Sequence, residues 1–296
     1  MPMEIDRKQL KQRAREAMSL SKPSFWVVTL VYLLMTTGVS SLADFAPGMM
    51  GSFLSIALTL YCWVVAFSYR LWALWTARRL EPDLGSLMDG FSVAGRVIFM
   101  EIGIMARIFG WTLLLVVPVT LFFSGPLLFA GTSSIALVLY LILLCVVAVL
   151  VEVIMLRYSM APYVLADYPD LGPSIAIAHS VRLTKGWRWE LFKLQLSFLG
   201  WYLLSGGLTV IGLAVGALLT GGAGLLSIVS PDQLGTQLAA IATAPIPALL
   251  GNLLCLPVML YFTPYLEVTM AEFYNARIAL NDNMANPMAG VNMPPL

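Results

Sequence analysis

The residues that could do chemistry here are ionisable groups inside or beside long apolar runs, because each costs ~2.5–3.5 kcal/mol at the centre of a membrane helix. Glu101 and Arg107 flank one such run, Glu152 and Arg157 close another, Arg70 lies inside a third, and Glu267 and Glu272 follow the last. All stand within about two helical turns of a run's end, where long side chains reach water. A polar vestibule or lipid-contacting surface would be built from Glu101, Arg107, Glu152, Arg157, His179, Arg182 and Lys185. The competing reading is an interfacial ring of ion pairs that holds helix ends. His179 is the only histidine, and a proton relay or metal site needs partners. Ser180 has no histidine base, and Lys185, five residues on, does not share its helix face. Cys62, Cys145 and Cys255 are isolated in apolar runs and read as small buried hydrophobes. The expectation is therefore no catalytic constellation, no cofactor and no metal.

The elements that hold these groups follow from composition. Of 296 residues, 59% are hydrophobic and only 11% charged, with a mean hydropathy of +0.86. A soluble domain carries about 25% charged residues. That excludes an ordinary globular enzyme and a disordered chain, and implies an all-α polytopic membrane protein. A net charge of +1 leaves no field to attract nucleic acid.

About 20 apolar residues cross the hydrocarbon core, and six runs of that kind are present: Phe25 to Ala43, Phe53 to Trp75, Ile104 to Phe123, Ile135 to Leu156, Leu194 to Leu219 and Pro247 to Val268. Arg7, Lys8, Lys11, Arg13, Arg15 and Lys22 precede the first. The other cations cluster at the junction of the second and third, lie between the fourth and fifth, or follow the sixth, and the remaining three connections contain none. Lys and Arg are retained on the cytoplasmic side, so both termini are expected there, in the inner (cytoplasmic) membrane. Ser41-Leu42-Ala43 looks like a processing site, but 24 patterned residues before Phe25 favour a retained helix. The chain then divides into an amphipathic segment (1–24), a six-helix membrane domain (25–280) and a tail (281–296) that reads as disordered.

Leu10, Ala14, Ala17 and Met18 form the stripe of an amphipathic helix whose cations occupy another face. It can lie in the headgroup layer or pack on the protein's own loops. SIAIAHSVRLTKG, after Pro169 and Pro173, repeats the design, and Leu20–Trp26 resembles Leu183–Trp189 at an offset of 163. LGSLMDGFSVAGRV is a weaker third copy, so three units of surface helix plus hairpin are expected. Gly200, Gly206, Gly207, Gly212 and Gly216 in the fifth run, and Pro257 and Pro264 in the sixth, suggest either broken helices that line a transport site or close packing through Gly212-x-x-x-Gly216. The Gly-rich connection from Thr220 to Ala244 could be re-entrant.

Arg157 to Gly207 carries a recognisable order: Tyr158, Tyr163, Asp167, Pro169, Ala176, Ser180, Lys185-Gly186, Phe192, Leu196-Ser197-Phe198 and Gly200-Trp201. With Arg13-Ala14, Trp26 and Ala271-Glu272-Phe273-Tyr274, it resembles the bacterial integral membrane family catalogued as domain of unknown function 975. That family is distantly similar to the membrane domain of some glycerophosphodiester phosphodiesterases. The resemblance implies a fold and a membrane address but no reaction.

The expected function is a non-enzymatic scaffold of the cell envelope that touches anionic lipid headgroups at the cytoplasmic face or a membrane protein partner. The alternatives are an exporter of an apolar or amphipathic solute and, third, an embedded lipid enzyme using Glu101, Glu152 or His179.

Overall fold

A computed structural model describes residues 6–40, 48–129, 134–170, 172–220 and 244–285. Among them there is no strand. The helices are α1 (Arg7–Leu20), α2 (Phe25–Leu33, continued by a π turn at Leu34–Gly38), α3 (Gly48–Ala77), α4 (Ser86–Asp89), α5 (Ala94–Phe129), α6 (Ser134–Met155), α7 (Ala161–Asp167), α8 (Pro173–Leu183), α9 (Arg188–Leu196), α10 (Leu199–Leu219) and α11 (Pro245–Ala285). Among the described residues four stretches are long and apolar enough to cross a membrane: Gly48–Ala77, Ser86–Leu121, Leu199–Leu219 and Ile246–Leu280. A fifth is present if α1 and α2, bent by 92°, count as one. Phe109, Leu114 and Leu121 on α5, and Leu203, Val210 and Leu219 on α10, are all exposed, as suits helices whose solvent is lipid.

The chain divides into two compact units, residues 1–89 with 195–276 and residues 90–194 with 277–296. In the first, Asp6 caps α1 by accepting from the Lys8 amide at 2.9 Å. Leu10, Ala14, Ala17 and Met18 are buried, so the apolar stripe is covered by protein and not by headgroups. Lys11 Nζ donates to Ser197 O at 3.1 Å and stands 4.0 Å from the Phe198 ring centroid, while Arg15 lies over Tyr265. Burial pushes the Lys11 ammonium below its ordinary value, and Arg15 and Arg7 add to the effect. The core continues through Phe67, Tyr69, Trp72 and Leu74 of α3, where the buried Tyr69 hydroxyl hydrogen-bonds Thr29 at 2.8 Å.

In the second unit α8 packs on α5 and α7, and α5 on α6. Val97, Met100, Tyr163, Leu165, Ala176 and Leu191 form the buried centre. Gly103 lets α8 approach: a β-carbon there would stand 3.2 Å from Ile177 Cδ1.

Several expectations are corrected. The fifth run is two helices, because the chain turns at Ser197–Phe198, where Ser197 O is held by Lys11 and Phe198 is buried. Neither α10 nor α11 is broken. The glycines of α10 sit in one continuous helix, and α11 continues through Pro257 and Pro264, as membrane helices tolerate when neighbours satisfy the freed backbone groups. α11 reaches Ala285, so residues 281–285 of the expected tail are helical. Of the cysteines only Cys255 is buried. Cys62 is half-buried and Cys145 is exposed on α6. Ser41-Leu42-Ala43, residues 221–243 of the glycine-rich connection and residues 286–296 lie outside the described residues.

α1 and α8 end at Leu20 and Leu183, and α2 and α9 begin at Phe25 and Arg188, all at the offset of the sequence match. Pro82-Asp83-Leu84-Gly85 recurs as Pro169-Asp170-Leu171-Gly172, each just before a helix. Asp83 fastens the first, accepting from Ser86 Oγ at 2.7 Å and from Ser86 N at 3.1 Å. Arg96 fastens the second, donating to Pro169 O and lying 3.6 Å from Asp170. The third copy has only the four-residue α4 and a 3₁₀ turn at Gly90–Val93 in place of a full surface helix.

Candidate functional site

The second unit gathers most of the candidate residues. Two hydroxyls on the inner face of α8 do the positioning. Ser180, fully buried, donates to Arg157 O at 2.8 Å and accepts from Met160 N at 3.2 Å. Thr184, also buried, donates to Ser180 O at 2.9 Å and lies 3.4 Å from Arg157 O. The turn after α6 is thereby stapled to α8, and the half-buried Arg157 side chain is held over the Trp111 ring, 6.0 Å from its centroid.

Arg188 stands at the start of α9 and is half-buried. Burial pushes its guanidinium below the ordinary arginine range and the nearby Arg157 charge pushes it the same way, with Tyr158 opposing. The Nε atoms of Arg157 and Arg188 are both buried without a hydrogen-bond partner. Among the described residues no carboxylate forms an ion pair with either. Two like charges kept partly out of water without a counter-charge are unfavourable in themselves.

The remaining candidates stand on α5 and α6 and on or just after α8. Arg107 is exposed on α5 one turn before Trp111 and donates to Gly103 O at 2.7 Å. His179, Arg182 and Lys185 are exposed at α8 and its C-terminal end, on the side away from buried Ala176, Ile177 and Ser180. Glu101 and Glu152 are half-buried on α5 and α6. No ion pair recorded among the described residues joins Glu152 to Arg157. Arg277 donates to Leu183 O at 3.1 Å, ending α8, and stacks on Trp187 at 4.8 Å. Replacing Arg277 by glutamine is expected to lower stability by about 1–3 kcal/mol, read as a fall in melting temperature. An unchanged melt would remove its capping role.

Among the described residues no three His, Cys, Asp or Glu side chains come together as a metal site would need. Arg157 was legible from its place at a span end. Arg188 was visible only as one cation of an aromatic-rich interface, and Trp111 and Thr184 gave no signal, because their roles depend on contacts distant in sequence.

No curated protein and no solved structure matches the chain. The sequence model of the family described as "Protein of unknown function (DUF975)" matches residues 1–281, and the chain belongs to that family.

Proposed function

We propose that the protein crosses the cytoplasmic membrane six times with both termini in the cytoplasm, and acts without catalysis as a scaffold that binds anionic lipid at its cytoplasmic face. The observation that carries this reading is the outer side of α8, where Arg182 and Lys185 are exposed with no carboxylate in an ion pair among the described residues. The inner side of the same helix is buried on the protein, so the cations are presented outward on a fixed support. Basic residues near an anionic leaflet contribute about 1 kcal/mol each. The long apolar helices with exposed aliphatic and aromatic side chains supply the membrane anchorage. α2 and α6 are the remaining two spans of the six. Export of an amphipathic solute has less support, since α10 and α11 run unbroken.

Extraction into native-lipid particles followed by mass spectrometry tests the scaffold. Phosphatidylglycerol or another anionic lipid is expected to be enriched over the bulk membrane, and the double substitution R182Q/K185Q to weaken that binding roughly 30-fold, the sum of two surface cations. Monodisperse protein recovered with neither anionic lipid nor a protein partner would refute it. For topology, protease-cleavable tags at both termini are expected to be cut in inverted membrane vesicles and protected in right-side-out ones.

A further inference from the structure

We propose that the outward face of α1 is a headgroup site for phosphatidylglycerol, with Lys8, Lys11 and Arg15 around the lipid phosphate and the Gln12–Glu16 pair against the glycerol hydroxyls. The site belongs to the first unit and uses none of the α8 cations. It rests on the scaffold reading in taking the end of α2 that joins α1 as the cytoplasmic one.

Lys8, Lys11, Gln12, Arg15 and Glu16 line one groove of about 490 Å³. All but the half-buried Lys11 are exposed. The other face of the helix, with Leu10, Ala14, Ala17 and Met18, is buried, so the groove opens outward on a fixed support. Direct contacts join two of its cations. Lys11 Nζ stands 4.0 Å from the Phe198 ring centroid, Phe198 meets Tyr265 edge-on at 5.1 Å, and Arg15 lies over Tyr265 at 5.6 Å. Lys11 Nζ also donates to Ser197 O at 3.1 Å. Buried rings therefore set the spacing of the two charges in advance, which lowers the ordering cost of binding. Lys8 precedes Lys11 by one helical turn and shares its side of the helix.

The depth of the groove points to a lipid. α1 stands at 92° to the apolar α2, so that with α2 entering the bilayer α1 runs along its surface. The rings under the groove continue into an aromatic belt: Tyr265 meets Tyr261 at 5.7 Å, and Tyr261 meets Trp201 at 5.4 Å and the exposed Trp26 at 6.1 Å. Tryptophan and tyrosine collect at the level of the headgroups. The headgroup follows from the acid in the groove. Gln12 Nε2 donates to Glu16 Oε1 at 3.0 Å, which holds a carboxylate among three cations. A bare phosphate gains nothing from a carboxylate, whereas a hydroxyl donates to one. A singly charged phosphodiester flanked by hydroxyls is phosphatidylglycerol.

The test counts, by native mass spectrometry, the phosphatidylglycerol retained by the full-length chain from mixed micelles with phosphatidylcholine. Phosphatidylmethanol, with the same charge and no headgroup hydroxyl, is the comparison lipid. Saturable retention is expected, with K8Q and R15Q each weakening it about fivefold, the share of one surface cation. R13Q removes a cation from α1 outside the groove and is expected to stay within twofold. The wild type is expected to favour phosphatidylglycerol over phosphatidylmethanol about tenfold, the worth of a charged hydrogen bond, and E16Q to erase that preference.

Equal losses in R13Q and R15Q would reduce the face to diffuse attraction and overturn the site, as would unchanged retention in K8Q/R15Q. A preference that survives E16Q overturns the headgroup assignment. Melting of each variant guards against misfolding: should R15Q melt low because Arg15 leaves Tyr265, K8Q alone decides. Loss confined to R182Q/K185Q overturns this site and leaves the scaffold intact. Loss confined to K8Q/R15Q supports this site and removes α8 as the lipid contact. No retention of anionic lipid by the wild type overturns both.

Discussion

Replacing Gly216 by leucine is expected to abolish recovery of monodisperse protein, and Gly212→Leu to do nearly the same, while Gly206→Ala is expected to be neutral or mildly stabilising. The difference lies in what a side chain meets. A β-carbon at Gly212 would stand 2.6 Å from Gly251 Cα, 2.7 Å from Leu250 O and 2.8 Å from Gly251 N. At Gly216 it would strike Pro247 Cα and lie 3.0 Å from Pro247 N. These are backbone atoms of α11, so relief requires moving one helix away from the other. Inserting bulk into a packed site costs ~1–3 kcal/mol when side chains can adjust, and here they cannot. Gly206 has nothing within 4 Å, so alanine there only removes the helix penalty of glycine, about 0.5–1 kcal/mol. Size-exclusion in mild detergent and thermal melting decide the matter. Gly216→Leu protein that is monodisperse and melts like the wild type would show that α10 and α11 do not pack as described.

The same glycines show which signals the sequence carries. The Gly212-x-x-x-Gly216 spacing is a local pattern with a direct physical meaning, close helix approach, and the structure puts Gly251 and Pro247 against it. Hydropathy likewise marks α3, α5, α10 and α11, since apolar length is counted along the chain. What failed to register depends on distant partners. The break at Ser197–Phe198 coincides with a contact from Lys11, 186 residues earlier, which donates to the Ser197 carbonyl. The persistence of α11 past Val268, where charges interrupt the apolar run, goes with burial of Ala271, Phe273 and Tyr274. The distribution of cations assigns Arg157 to a side of the membrane, and nothing in the local sequence shows that its carbonyl accepts from Ser180, 23 residues on.

Ser180→Ala is expected to lower the melting temperature by about 2–12 °C. Its hydroxyl serves two backbone groups at once, donating to Arg157 O and accepting from Met160 N, in a position with no exposure. Alanine leaves the Met160 amide without that acceptor and Arg157 O with only the longer contact from Thr184 at 3.4 Å. A buried backbone group left unpaired costs ~1–3 kcal/mol, and for a chain of this size each kcal/mol is worth roughly 2–4 °C. Stability alone would not distinguish a staple from any other core residue. The distinguishing readout is hydrogen exchange at the Met160 amide, measured well below the melting transition. Leu165→Ala, a fully buried site on α7, should cost about 2–5 kcal/mol without touching the turn at Arg157. If Ser180 staples that turn, the Met160 amide exchanges faster in Ser180→Ala and at the wild-type rate in Leu165→Ala, because only the first variant removes its acceptor. Equal exchange in the two variants would make Ser180 a packing residue only.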